Sequence, residues 1–221
     1  MSDTDFRPFE TAFDKEDALA VLRAATAGAD DGEIFAEKRV SESILLDDQR
    51  IKSASYNASE GFGLRAVRGE VTGYAHSTHM NINALQRAGE TARLAVADGG
   101  GILADMPQRT NQRLYTDEDP IAGAAFSVKL DLMREIDDFL RGLDKRVVQV
   151  SVSMAAAVQH IEILRPEGGH LRDTRPMSRL NISVIVDQDG RRESGSAGGG
   201  GRTGLDGVMM RDTWQSMAQE A

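Results

Sequence analysis

The side chains able to do chemistry in this chain are few. It has four histidines and no cysteine, so disulfides, thiolate metal ligands and a cysteine nucleophile are all absent, which fits a reducing compartment. His76 and His79, in "YAHSTHM", have a spacing that could bring two rings onto one helical face, as a metal pair requires. They fall where a strand ends, however, with no carboxylate or third ligand nearby, and read as two surface histidines at a turn. His160 and His170 flank the turn "RPEGGH", and neither has a serine or aspartate at a spacing that suggests a triad. "VDQDG" holds two acids and a glycine without the remaining ligands of a calcium loop, so it reads as a hairpin turn. The acidic "YTDEDP" reads as a solvated loop. Residue by residue, no catalytic constellation emerges.

The unusual feature is "GRRESGSAGGGGRTG", residues 190–204. Gly199, Gly201 and Gly204 match G-x-G-x-x-G, but "LDGVMM" intervenes before any helix and no acid follows at the distance a ribose needs, so a nucleotide site is the weakest reading. No G-K-[ST] follows, which excludes a P-loop. Four consecutive glycines, Gly198, Gly199, Gly200 and Gly201, strip every Cβ from one stretch of chain, so another backbone can come very close. Such a stretch is either a bland loop or an edge that pairs with an extended peptide by strand addition. The candidate binding residues are these four glycines and Arg202.

With 35 acidic against 26 basic residues in 221, the formal net charge is −9. That balance, with no basic run longer than a pair, argues against a nucleic-acid surface. The N-terminus "MSDTDFRPFE" lacks the apolar stretch of a signal peptide, and no segment is long and apolar enough to span a bilayer. A soluble, cytoplasmic protein with no membrane partner is expected.

Several elements would position the glycine run. Asp14 caps a helix, "KEDALAVLRAATAG", ended by Gly28. Extended segments follow at residues 33–40, 43–47 and 51–56, then a pair turning at Arg68-Gly69, in which Phe62, Leu64 and Ala66 alternate. A second helix spans 82–97, with Ile82, Leu85, Ala92 and Val96 inward. Residues 98–126, with Pro107, Pro120 and "DEDP", form a connection. Ser127 opens an amphipathic helix whose buried stripe is Leu132, Ile136, Phe139, Leu140 and Leu143, with Asp137 and Arg141 pairing outside. Strands follow at 147–158, 160–164 and 180–186, and "RRESGS" returns from the "DQDG" turn. "RDTWQSMAQEA" begins a helix that the chain end interrupts behind Trp214. The expected class is α+β, with two small helix-plus-antiparallel-sheet domains: 1–126, with its connecting loop from about 98, and 127–221, truncated at its C-terminus.

Two passages carry a resemblance. "GFGLRAVRGEVTGYAHS" and "RPMSRLNISVIVDQDGRRESGSAGGGGR" resemble the N-terminal part of the metalloprotease subunit of the TldD/TldE (PmbA) family, once described as modulators of DNA gyrase. "RIKSASYNASEG", "LYTDEDP" and "DKRVVQVSVS" fit in the same order, so the resemblance spans nearly the whole chain. It implies a cytoplasmic heterodimeric zinc protease acting on extended or unfolded peptides, with a TldE/PmbA-like subunit as partner. The family's zinc helix, H-E-x-x-x-H, and its distant cysteine have no counterpart here, since none of the four histidines is followed by glutamate. The resemblance thus implies a piece that binds no zinc itself, serves substrate entry and subunit contacts, and places residues 198–202 where substrate or a further domain comes close.

Overall fold

The computed structural model describes residues 6–100 and 116–221. The acidic N-terminal tip and most of the expected connection, including Pro107, lie outside the described residues. In chain order the elements are α1 (Pro8–Thr11), α2 (Lys15–Ala25), β1 (Asp31–Asp47), β2 (Arg50–Arg68), β3 (Val71–Ser77), α3 (Ile82–Ala95), α4 (Phe126–Leu143), β4 (Val147–Leu164), β5 (His170–Gln188), β6 (Arg191–Gly201), α5 (Asp206–Met209) and α6 (Arg211–Glu220). The strands form one six-stranded sheet in the order β3-β2-β1-β4-β5-β6. The α+β class with antiparallel pairing is as expected; the strand count is not. Segments read as separate strands are single long ones, because four strands of 17 to 19 residues each run on for ~60 Å.

That length changes the domain organisation. The chain folds into two compact units, each assembled from three separate stretches. The first draws on the described residues of Met1–Arg39, Ser59–Gln112 and His160–Asp173, the second on those of Val40–Ala58, Arg113–Gln159 and Thr174–Ala221. Two consecutive domains divided at 126/127 therefore do not describe the compact units. The physical reason is that β1, β2, β4 and β5 are each too long for one small core, so each supplies a stretch to both.

In the first unit, Asp14 accepts hydrogen bonds from the Glu16 and Asp17 N–H groups and Asn81 from Ala84 N–H, starting α2 and α3. Their apolar faces (Leu19, Leu22, Leu85, Ala88, Ala92) close over Ile34, Leu64 and Ala66. In the second, α4 and α6 cover Ile44, Leu46, Val150, Val152, Leu180 and Ile182. Two hairpins carry positive φ at both central residues, as the right-handed twist of paired strands favours: Asp48-Gln49 between β1 and β2, and Asp189-Gly190 between β5 and β6.

Two details of α4 differ from expectation. Leu143 is half exposed, whereas Leu130 and Met133 join the core. Asp137 is fully buried rather than outside. Its Oδ1 accepts from Arg141 Nε at 2.6 Å and from Gln49 Nε2 at 3.1 Å, so the hairpin turn closes over it, a partner too distant in sequence for helical spacing to reveal.

Candidate functional site

The glycine run lies within β6, the last strand of the sheet, and is fully paired along one side. Gly198 sits opposite Asn181, Gly199 opposite Leu180, Gly200 opposite Arg179 and Gly201 opposite Ser178. Arg202 follows in the exposed bend beyond the strand. The five candidate residues are thus contiguous on one strand end, all in the second unit.

Each glycine has a different reason to lack a Cβ. One built on Gly199 would stand 2.6 Å from Met217 Cε, so its face is filled by α6; Gly195, four residues earlier, would strike the backbone oxygen of Ala221 at 1.9 Å. On the other face, a Cβ at Gly198 would meet Asn181 Oδ1 at 2.5 Å, and one at Gly200 would meet Ser178 O at 2.1 Å. Gly201 has nothing closer than Thr203 Cγ2 at 4.0 Å. Steric fit to neighbours explains three of the four, and Gly201 alone among them has room for a Cβ.

The turn after the run is held by two residues that sequence reasoning missed. Ser178, buried, donates to Gly204 O at 3.0 Å, and Gly204 N–H donates to Glu118 Oε2 at 3.1 Å. Glu118 belongs to the acidic stretch read as a solvated loop. It is exposed, yet it fixes a backbone group 86 positions away, a contact no local pattern signals. Trp214, the apolar anchor of the last helix, is buried and meets Phe139 edge-on with ring centroids 5.4 Å apart.

Facing away from the helices, Gln149, Ser151, Ser183, Ser194 and Ser196 line a shallow hollow of about 370 Å³. Beside it, Asp47 Oδ1 accepts from Ser151 Oγ at 2.6 Å and from Gln149 Nε2 at 2.9 Å. The Ser151 hydroxyl, then the Gln149 amide, hold the Asp47 carboxyl below the usual carboxylate range. This surface is polar and shallow, without a nucleophile–base pair.

Two of the four histidines take structural places. His170 Nε2 lies 3.0 Å from Glu162 Oε2, and its ring meets Phe9 edge-on. Arg172 completes the cluster, bonding both Glu162 and Glu10, and the Arg172 guanidinium draws the Glu10 carboxyl below its ordinary value. His76 stacks on Tyr74. Among the described residues, no group of three or more His, Cys, Asp or Glu side chains could hold a metal ion.

Residues 32–96 match a family model described as PmbA/TldA metallopeptidase domain 1, and residues 119–221 match the central domain of the same family. The chain belongs to the PmbA/TldD metallopeptidase family. Its curated relatives include a metalloprotease TldD homolog of Buchnera aphidicola subsp. Acyrthosiphon pisum, 30% identical over 200 residues, covering 90% of this chain and 41% of the relative. Another, from Haemophilus influenzae, is 33% identical over 180 residues, covering 80% of this chain and 37% of the relative. The chain therefore spans about two fifths of the length of these TldD homologs.

Solved structures share the fold at low identity. A putative modulator of DNA gyrase from Thermotoga maritima has a TM-score of 0.71 at 16% identity, covering 96% of this chain and 46% of that one. TldE from Thermococcus kodakarensis has a TM-score of 0.69 at 12% identity, covering 92% and 46%. A metal is implied for the full-length metallopeptidases. The described residues of this PmbA/TldD chain do not supply a donor set that fits one, since two of its four histidines are engaged as above and no third donor converges on any of them.

Proposed function

We propose that this chain is the N-terminal portion of a TldD-type zinc metalloprotease that hydrolyses extended or unfolded peptides in the cytoplasm. In this reading the chain holds no zinc and is inactive alone. It serves substrate entry and contacts a TldE/PmbA-like subunit. The observation that carries the reading is the position of Gly198, Gly199, Gly200, Gly201 and Arg202 at the end of a sheet-edge strand. An edge offers backbone N–H and C=O groups to a peptide regardless of its side chains, as an enzyme for unfolded substrates needs. The acidic net charge is consistent with no nucleic-acid partner.

The test is Gly201→Val in a full-length TldD protein, chosen because a Cβ there meets nothing closer than Thr203 Cγ2 at 4.0 Å. Peptide cleavage should be lost while zinc content stays normal, and unchanged cleavage would remove the glycine edge from the substrate path.

A second reading is favoured by the closed second core, with Trp214 and Ala218 buried within it. A chain with its own core can act as a standalone, non-catalytic binding or assembly module that pairs with a TldE/PmbA-like subunit. Tight binding to that subunit without any change in peptide turnover distinguishes this from the first.

A further inference from the structure

The turn that ends β6 is held from outside the strand. Gly204 is buried, so its N–H and C=O each need a partner. Both partners are side chains. Gly204 N–H donates to Glu118 Oε2 at 3.1 Å, and the buried Ser178 hydroxyl donates to Gly204 O at 3.0 Å. Ser178 also stands opposite Gly201 in the β5–β6 ladder. One end of the turn is thus set at Gly201 by the ladder and the other at Gly204 by two side chains, with only Arg202 and Thr203 between them.

Glu118 is itself held in place. The segment after it is a closed turn: Asp119 Oδ1 accepts from Ile121 N–H at 2.8 Å and from Ala122 N–H at 3.2 Å, and Gly123 N–H donates to Asp119 O at 3.0 Å. The buried Lys129 fastens that turn to α4. Its Nζ donates to Ile121 O at 3.0 Å and to Glu42 Oε1 at 2.5 Å, so the turn supplies part of what a buried ammonium requires. On the other side, Thr116 Oγ1 donates to Glu118 Oε2 at 3.2 Å. A Cβ on Gly204 would stand 2.8 Å from the same Oε2, so the bare Cα is what lets the carboxylate come this close. All of these residues belong to the second unit.

We infer that Glu118 is a positioning residue for a peptide docked on the glycine strand, an inference that rests on the peptide-edge reading above. Through Gly204 it fixes the bend at 202–203, and with it Gly201 and Arg202, the last two of the five candidate binding residues. A strand end ordered before the peptide arrives spares the complex the cost of ordering it. Affinity rises without any contact between Glu118 and the peptide.

The probe is a fluorescein-labelled, unstructured peptide of alanine, serine and valine. Its dissociation constant is read by anisotropy, and hydrogen exchange at the Gly204 amide is followed on the same samples. Glu118→Ala should weaken binding roughly tenfold and speed Gly204 exchange. Glu118→Gln keeps an acceptor for the amide and should stay within about threefold of the unmodified chain. Gly204→Ala crowds the carboxylate from the other side and should weaken binding as E118A does. Combining the two should add little, because both break one bond. Circular dichroism should show every variant folded at the assay temperature.

Binding unchanged in E118A while Gly204 exchange rises would overturn this inference and leave the peptide edge standing. So would E118Q weakened as much as E118A, or fully additive losses in the double variant. No binding by the unmodified chain would remove the peptide-edge reading itself, and this inference with it.

Discussion

Gly199 lies beneath Met217, with room for no Cβ between the strand and the thioether: one built there would stand 2.6 Å from Met217 Cε. The inward face of the glycine strand is therefore the seat of α6, and what the strand offers outward is its backbone edge and the polar face beside Ser196. This narrows the meaning of a glycine-rich run. Gly195 and Gly199 lack side chains for α6, Gly198 and Gly200 lack them for β5, and Gly201 lacks one for no neighbour within the described residues.

A substitution series separates these roles. Gly200→Ala forces a Cβ to 2.1 Å from the carbonyl oxygen of Ser178, a backbone atom held in the β5–β6 ladder. It should cost ~1–3 kcal/mol, as overpacking of a well-packed site does. Gly201→Ala meets open space and should stay within about 0.5 kcal/mol of the unmodified chain. Urea denaturation of both checks this, and equal losses would contradict the packing described.

The buried carboxylate of Asp137 gives a second prediction. Arg141, whose guanidinium is held charged first by Asp137 and then by Asp48, is its charged partner. Arg141→Met leaves the carboxylate in the core with only Gln49 donating to it, and should destabilise by ~3 kcal/mol or more. Replacing both, Asp137→Leu with Arg141→Met, should recover much of that loss, because no unpaired charge remains buried. A double-mutant cycle by chemical denaturation measures the coupling; strict additivity would show that the two residues act independently.

Acid sensitivity follows from Asp47. Its carboxyl lies below its ordinary value of 3.8, chiefly through the Ser151 hydroxyl. A depressed carboxylate contributes stability that is fully present above its unfolded value and is lost as pH falls through the lower, folded one. Ser151→Ala should therefore be less stable than the unmodified chain at neutral pH, with the gap closing as pH drops below 3.8 toward the folded value. A gap constant down to about pH 2 would show that Ser151 acts through packing rather than through the carboxylate.

What the sequence made legible was local. The Asp14 cap, the α4 periodicity, the alternation of Leu180, Ile182 and Val184, and the "DQDG" turn each depend on residues within a few positions. What it hid was nonlocal. β4 buries Val150 through Val158 at even positions, then Ile161 and Leu164. That slip looks like a strand break, but it falls where the strand passes from one compact unit to the other, at Gln159 and His160. Asp137 reads as a surface residue because Gln49, 88 positions away, is absent from its helical neighbourhood. The glycine run reads equally as a loop or a strand edge because α6, which packs against Gly199, comes later in the chain. The family resemblance was legible because it lies in the run's composition and order, which need no three-dimensional contact to be seen.

The most direct test of the proposed role is an NMR titration of this chain with an unstructured peptide in the presence of zinc, following backbone amide shifts and peptide integrity together. The account predicts an intact peptide and shifts concentrated along β6 from Arg191 to Arg202. Shifts confined to another surface, no shifts at all, or a peptide cleaved by this chain alone would contradict it.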